Sequence, residues 1–350
     1  MALTRDKINE ALDIFQTPVM FRNEAQMMLS QQEMEMILLM GGEKAYYVEE
    51  LKELLAPISQ FPQTLIDSAY CRAVLKKVRD EEGGLMYQVT SFYTRYPYFA
   101  QFEPLDYQRI PRDRRVMMND WDYEVYASYY RDVIRLKKED YDVIMHDTDF
   151  MTLEQAIDAI KDKEELYLVP CNCKYMMDVT DRPRDCCVHV GNHDNSEQDR
   201  GHGMRVTAEY MVQKLKEFRS RGLMQNGCPE HEGGGFCNCD GASCYPIRMC
   251  KELGSRGHAP RAYWTIHWDA EKCISCGKCA KICNFFAFTT DRDGKIAFHP
   301  DKCWGCTICV DNCPKGAITR TPIEWHLKPL EDANKAKEEH ETAVAETYGI

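Results

Sequence analysis

The stretch CISCGKCAKIC, residues 273–283, sets four cysteines at the spacing C-x2-C-x2-C-x3-C, and CWGCTICVDNC, residues 303–313, repeats that spacing after a shift of 30. The likeness extends beyond the cysteines. Glu271 and Lys272 precede the first run as Asp301 and Lys302 precede the second, and Ala287, Phe288 and Thr289 match Ala317, Ile318 and Thr319. One structural unit is therefore used twice. Around each run the pattern reads as an apolar strand, a cysteine loop entering a short helical turn, and a second strand: YWTIHW and FFAFTT flank the first, KIAFH and GAITR the second.

Outside this pair, the chain of 350 residues has room for two or three domains of about 100 to 200 residues each. With 44% hydrophobic and 29% charged residues, its 18 cysteines do not stand in for a missing core. Their use is chemical. The N-terminal MALTRDKINEALDIF lacks the uninterrupted apolar run of a secretory signal, and MILLM, residues 36–40, is far short of the roughly 20 residues that cross a bilayer. The expected setting is a reducing cytoplasm, where clustered cysteines are metal ligands or redox groups rather than disulfides. A formal net charge of −12 disfavours nucleic acid and anionic lipid as partners, since both are polyanions.

The repeated spacing, over residues 261–320, resembles the bacterial-type ferredoxins that carry two 4Fe-4S clusters. Zinc, by contrast, takes CxxC pairs separated by a longer loop, which three consecutive cysteines at x2 spacing with a fourth at x3 fit badly. In the ferredoxin pattern the fourth cysteine of each run ligates the other cluster. The resemblance thus implies one cluster on Cys273, Cys276, Cys279 and Cys313, and a second on Cys303, Cys306, Cys309 and Cys283. It also implies a domain that folds only with its clusters. The second run keeps the family's proline, Pro314; the first has Asn284 there, a polar side chain expected to alter the neighbouring cluster's potential.

Of the ten other cysteines, nine fall between Cys171 and Cys250. EELYLVPCNC reads as a strand delivering Cys171 and Cys173 to its end, and glycines 233 to 235 let the chain fold closely about a second C-N-C at Cys237 and Cys239. Soft thiolates gathered this way select zinc, copper(I) or an iron-sulfur cluster. The region resembles the cysteine-rich segment of anaerobe iron-sulfur proteins in which a winged-helix-like N-terminal region and a two-cluster ferredoxin flank a third site. The matching pieces are Cys171 and Cys173, Cys187 before Gly191, then Cys237 and Cys239. The expected ligands of a third 4Fe-4S cluster are Cys171 or Cys173, Cys187, Cys237 and Cys239, with Cys186 and Cys244 as replacements. His189, His193, His202 and His231 are candidate ligands or proton carriers, or ordinary loop histidines. Cys250 and Cys71 read as small buried hydrophobes.

Residues 24–100 read as three helices and a hairpin: EAQMMLSQQEMEMILLMGG, YYVEELKELLA, QTLIDSAYCRAVLKKVRD, then the alternating GLMYQVTSFYTRYPYF. That order resembles a winged helix. The third helix carries Asp67 where base contacts would lie, and its basic residues are Arg72, Lys76, Lys77 and Arg79, so the expected use is partner docking rather than DNA binding. Thr152, with Gln155 three residues on, reads as a helix cap before the cysteine-bearing strand.

The fold expected is α+β and multi-domain: a winged-helix-like domain at 1–110, a cysteine-rich middle region at 111–260, a two-cluster ferredoxin domain at 261–320 and a charged tail at 321–350. No G-x-G-x-x-G, Walker loop, HExxH or G-x-S-x-G is present, so the hard chemistry is expected in a partner. The function expected is low-potential electron transfer to or from an oxidoreductase subunit or other redox partner protein, in an anaerobic host. The alternatives are a reductase whose middle cluster binds substrate at an open iron, and a redox-sensing winged-helix regulator.

Overall fold

The computed structural model describes residues 3–143, 145, 149–227 and 235–329; His231, Gly233, Gly234 and most of the charged tail lie outside them. Contacts divide the described residues into two units. One runs through Asp122 and takes in the segment Asn192–Gly203; the other comprises Tyr123–Gly191 and the chain from Met204 onward.

In the first unit, α1 (Arg5–Ile14) is capped by Thr4. Next come α2 (Arg22–Met28) and α3 (Gln31–Met40). The sequence pattern reads these two as one helix, but Ser30 and Glu33 form a capping box that starts α3 afresh. Then follow β1 (Tyr46–Tyr47), α4 (Val48–Leu55), α5 (Pro62–Cys71), β2 (Leu75–Arg79) and β3 (Leu85–Val89). Both β1 and β2 pair antiparallel to β3, giving the order β1-β3-β2.

The expected third helix is shorter than the pattern suggested. Ala73 takes a φ of 57°, which stops α5, and Leu75 to Arg79 turn into strand, so Lys76, Lys77 and Arg79 stand on β2. The aromatic run expected as a strand is instead α6 (Phe92–Phe102), capped by Ser91, with Phe92, Tyr96 and Phe99 at helical spacing on its buried face. α7 (Pro104–Tyr107) and the long α8 (Arg112–Lys138) follow, the latter holding Tyr123, Tyr126, Tyr129 and Tyr130.

The segment Asn192–Gly203 lies along β2. Lys77 Nζ donates to Asp199 at 2.7 Å and Arg79 Nε to Asp194 at 2.8 Å, while Asn195 Nδ2 donates to the Lys77 carbonyl at 2.8 Å. Arg72 donates to Glu33 and Glu103. Three of the four basic residues noted above are thus engaged by carboxylates of the same unit.

In the second unit, α9 (Leu153–Ile160) opens with the Thr152–Gln155 capping box. A three-stranded antiparallel sheet of order β5-β4-β6 is built from β4 (Leu166–Pro170), β5 (Asp185–Val190) and β6 (Met204–Val206), with α10 (Asn172–Met177) between the first two. After α11 (Ala208–Ser220), β7 (Met224–Asn226) pairs with β8 (Cys237–Cys239), and α12 (Tyr245–Glu252) follows.

The cysteine repeat then forms β9 (Trp264–Trp268), α13 (Lys278–Ile282), β10 (Phe288–Thr290), β11 (Ile296–Phe298), α14 (Ile308–Asn312) and β12 (Ile318–Pro322). The first strand pairs with the last, β9 with β12, and β10 pairs with β11, so the two copies close on each other around one apolar core of Ile266, Phe288, Ile296 and Ile318. Among the described residues, no helix is long and apolar enough to cross a membrane.

Candidate metal centres

Each cysteine loop of the repeat ends in a left-handed residue that launches a short helix. Gly277 takes it at φ 74° without cost; its counterpart Thr307 takes φ 61° and is pinned by Arg219, whose Nη2 donates to the Thr307 hydroxyl. The first loop lines a pocket with Cys273, Cys276, Cys279 and Cys313, which Trp268, Ile296 and Ile318 also line. The fourth cysteine here comes from the second run.

In the other direction, Cys283 is among the thiols whose charge raises those of Cys303, Cys306 and Cys309, after burial, which is the larger cause for all three. Burial pushes the Cys306 thiol up to about 12 and Cys279 up to about 11. Thiols buried this far stay protonated at neutral pH unless a metal centre takes the place of the proton. Backbone amides are already aimed at the sulfurs: Ser275 donates to Cys273 at 3.4 Å, Ala287 to Cys283 at 3.3 Å and Ala317 to Cys313 at 3.2 Å. The donor set, the pocket and the amides fit a thiolate-held cluster.

The second gathering of sulfur is made by a defect in a sheet. Successive residues of a regular strand point to opposite faces, so adjacent cysteines cannot share a site. At the end of β4 the register slips: Val169 faces Cys187 but Pro170 faces Asp185, leaving Cys186 as an extra residue. Cys171, which follows β4 and caps α10, then lies with Cys186 and Cys187 so that the three sulfurs are within 4.8 Å of one another, all buried.

Hydrogen bonds from Cys173, Cys186 and Cys187 hold the Cys171 thiol well below the usual thiol range. Cys237 reaches Cys187, whose own thiol is pushed well up, first by its bond to Cys171. Cys239 lies 3.3 Å, sulfur to sulfur, from Cys244. Close approaches of the chain make this possible: a Cβ on Gly235 would stand 2.6 Å from the Val188 carbonyl oxygen.

Of the expected residues, Cys171 and Cys187 share the close trio with Cys186, Cys173 bonds to Cys171, Cys237 bonds to Cys187, and Cys239 lies against Cys244. The structure promotes Cys186 from a replacement to a central member. Lys174 was not anticipated. Its Nζ donates to Cys186 Sγ at 3.1 Å and to the Asn238 carbonyl at 2.6 Å, with the side chain buried. Burial opposes its charge, but the thiols of Cys171, Cys186, Cys187 and Cys239 hold the ammonium well above its ordinary range. The only signal in the sequence was its position beside the first C-N-C. His193 and His202 lie in the segment belonging to the first unit, where His202 stacks on Phe102 at 3.8 Å. Cys250 is buried in α12, its thiol pushed up to about 12 by burial.

A buried hydrogen-bonded chain joins the two gatherings. Arg219 donates to Thr307 and Asp311 on the second cysteine loop and its helix, and to Gln225 on β7. Gln225 donates to Asn238 Oδ1 at 2.6 Å, and Asn238 donates to the Cys186 carbonyl at 2.6 Å. A second link runs through Asn284. Its Oδ1 accepts from the Gly241 amide at 2.9 Å and from Arg182, and its Nδ2 donates to the Gly222 carbonyl at 2.8 Å. A Cβ on Gly241 would stand 2.7 Å from the Asn284 carbonyl oxygen, so only glycine admits that approach.

The family model of the 4Fe-4S dicluster domain matches residues 267–320. Ferredoxin-3 of Nostoc sp. is 31% identical over 16% of this chain and 76% of its own length. An uncharacterized ferredoxin of Methanocaldococcus jannaschii is 36% identical over 20% of this chain and 90% of its own length. The pyruvate synthase subunit PorD of the same organism is 40% identical over 16% of this chain and 65% of its own length. Through this C-terminal segment, with its paired cysteine loops, the chain belongs to the ferredoxins built on a 4Fe-4S dicluster domain.

Proposed function

We propose that the chain is an electron-transfer subunit in which three iron-sulfur centres are wired in one folded unit. Cys273, Cys276, Cys279 and Cys313 hold the first 4Fe-4S cluster; Cys303, Cys306, Cys309 and Cys283 hold the second. The third is held by Cys171, Cys186, Cys187 and Cys237, with Cys173, Cys239 and Cys244 beside it and the Lys174 ammonium offsetting part of the thiolate charge. The observation that carries this reading is the buried chain Thr307–Arg219–Gln225–Asn238–Cys186, which ties the middle thiols to the loop of the second cluster.

PorD, by its name a subunit of a pyruvate synthase, supports a partner oxidoreductase. The helix-strand-helix-helix-hairpin order of the first unit, with its β1-β3-β2 sheet, supports a winged-helix module. With Arg72, Lys77 and Arg79 held by carboxylates, that module suits protein docking, not phosphate contact. Cysteine ligands in this number need a reducing compartment, and we place the chain in the cytoplasm.

An anaerobic potentiometric titration followed by electron paramagnetic resonance tests the reading. Three one-electron steps, the third lost in Cys186→Ala while the first two remain, are expected. Two steps in both proteins would remove the third centre.

A further inference from the structure

The two cysteine loops are copies in sequence but not in surroundings. In the second loop, Trp304 and Cys306 are each only 8% exposed. Trp304 stacks on Phe285 at 4.7 Å, Gly305 lies against Ala262 and the Trp264 carbonyl, and Arg219 covers Thr307. In the first loop, the counterpart of Trp304 is Ile274, 56% exposed, and Cys276 is exposed as well. Electron tunnelling between proteins needs a centre near the surface, and only the first loop offers one among the described parts of the repeat.

The charge around that loop is also unlike the rest of the chain. Lys278 and Lys315 line the pocket of the first cysteines, and no carboxylate does. Lys281 is exposed nearby, Lys272 is paired with Asp269 at 3.2 Å, and the exposed Glu271 is the adjacent acid outside that pair. The counterparts of Lys278 and Lys281 in the second loop are Ile308 and Asp311. A chain of net charge −12 thus presents a lysine-rimmed apolar spot at the more exposed of the two cysteine loops of the repeat.

We propose that this face is the docking site of an acidic one-electron carrier protein, resting on the electron-transfer reading above. The rim lysines steer the carrier against the chain's overall repulsion, and Ile274 forms the dry contact. One electron passes from the reduced carrier to the first cluster, so the carrier is oxidised by one and the cluster reduced by one. No bond or proton is exchanged, and the second cluster and the middle centre follow inward.

The probe is an acidic flavodoxin in its anionic hydroquinone state, which gives one electron and becomes the neutral semiquinone. Anaerobic stopped flow measures the second-order rate with the intact protein, and calorimetry measures carrier affinity. The expected result is a rate that falls about tenfold between roughly 20 and 300 mM salt, as screening removes an attraction. The double variant Lys278→Glu, Lys315→Glu should lose about tenfold or more in rate and affinity at low salt, with its iron content unchanged. The charge-matched Lys7→Glu, Lys52→Glu should stay near the parent. A rate that rises with salt, or equal losses in both double variants, overturns the docking face. If dithionite then still reduces the clusters, electron transfer stands and only the docking face falls. Clusters that dithionite fails to reduce overturn both.

Discussion

Asn284 stands where the ferredoxin pattern has proline, and the structure makes it the clamp between the dicluster fold and the middle region. Changing it to alanine removes its bonds to the Gly241 amide, the Arg182 guanidinium and the Gly222 carbonyl, the last two of which remain bonded to each other at 2.6 Å. A neutral hydrogen bond contributes about 0.5–1.5 kcal/mol and one to a charged group about 1.5–3, so the loss of two neutral bonds and one charged bond comes to about 2.5–6 kcal/mol. For a unit of this size, 1 kcal/mol moves the thermal midpoint by roughly 2–4 °C, which gives a drop of about 5–24 °C.

The assay is anaerobic thermal unfolding at one fixed scan rate, since iron-sulfur proteins unfold irreversibly and apparent midpoints depend on that rate. Iron per chain is measured on the same sample. Asn284→Asp keeps the acceptor for Gly241 and Arg182 and should recover at least half of the loss. A drop below about 2 °C in Asn284→Ala with unchanged iron would show that the clamp does not hold the two parts together.

Other expectations follow from single contacts. Gly241→Ala forces a Cβ to within 2.7 Å of the Asn284 carbonyl oxygen, so it should destabilise the same junction by about 1–3 kcal/mol in anaerobic urea unfolding while the iron content holds. Cys250→Ala should leave the metal content as it was, and Cys250 in the folded parent should resist iodoacetamide, because burial pushes its thiol up to about 12. Asp199 is held below the usual carboxylate range: burial works against its charge, but bonds from Lys77 and Tyr70 outweigh it. Its contribution is therefore present above the ordinary carboxylate pKa and is lost as pH falls through the lower folded value. Limited proteolysis within 192–203 should accelerate in that acidic window, and Asp199→Asn should show the faster cleavage already at neutral pH.

The dicluster segment was readable because its information is local: cysteine spacing, the strand patterns and the copy at a shift of 30 all lie within 60 residues. The middle gathering of cysteines was only half readable. Cys171, Cys173, Cys187, Cys237 and Cys239 stood out by type, but the place of Cys186 depends on a register slip opposite Pro170, which alternation rules cannot foresee. Asn284 was noticed as a departure from the pattern and expected to tune a cluster; its buried bonds to Gly222, Gly241 and Arg182 depend on residues 43 to 102 positions away. In the first unit, the aromatic run of α6 fits both periods, and the Ser91 cap decides for helix. α5 stops early because Ala73 adopts a left-handed turn that its residue type does not announce.

The most direct test of the account is iron, acid-labile sulfide and zinc per chain on anaerobically purified protein. Three centres predict about twelve irons, as many sulfides and no zinc, from four of each per cubane. About eight irons with one zinc would contradict the account, leaving the middle thiols as a structural knuckle beside a two-cluster ferredoxin.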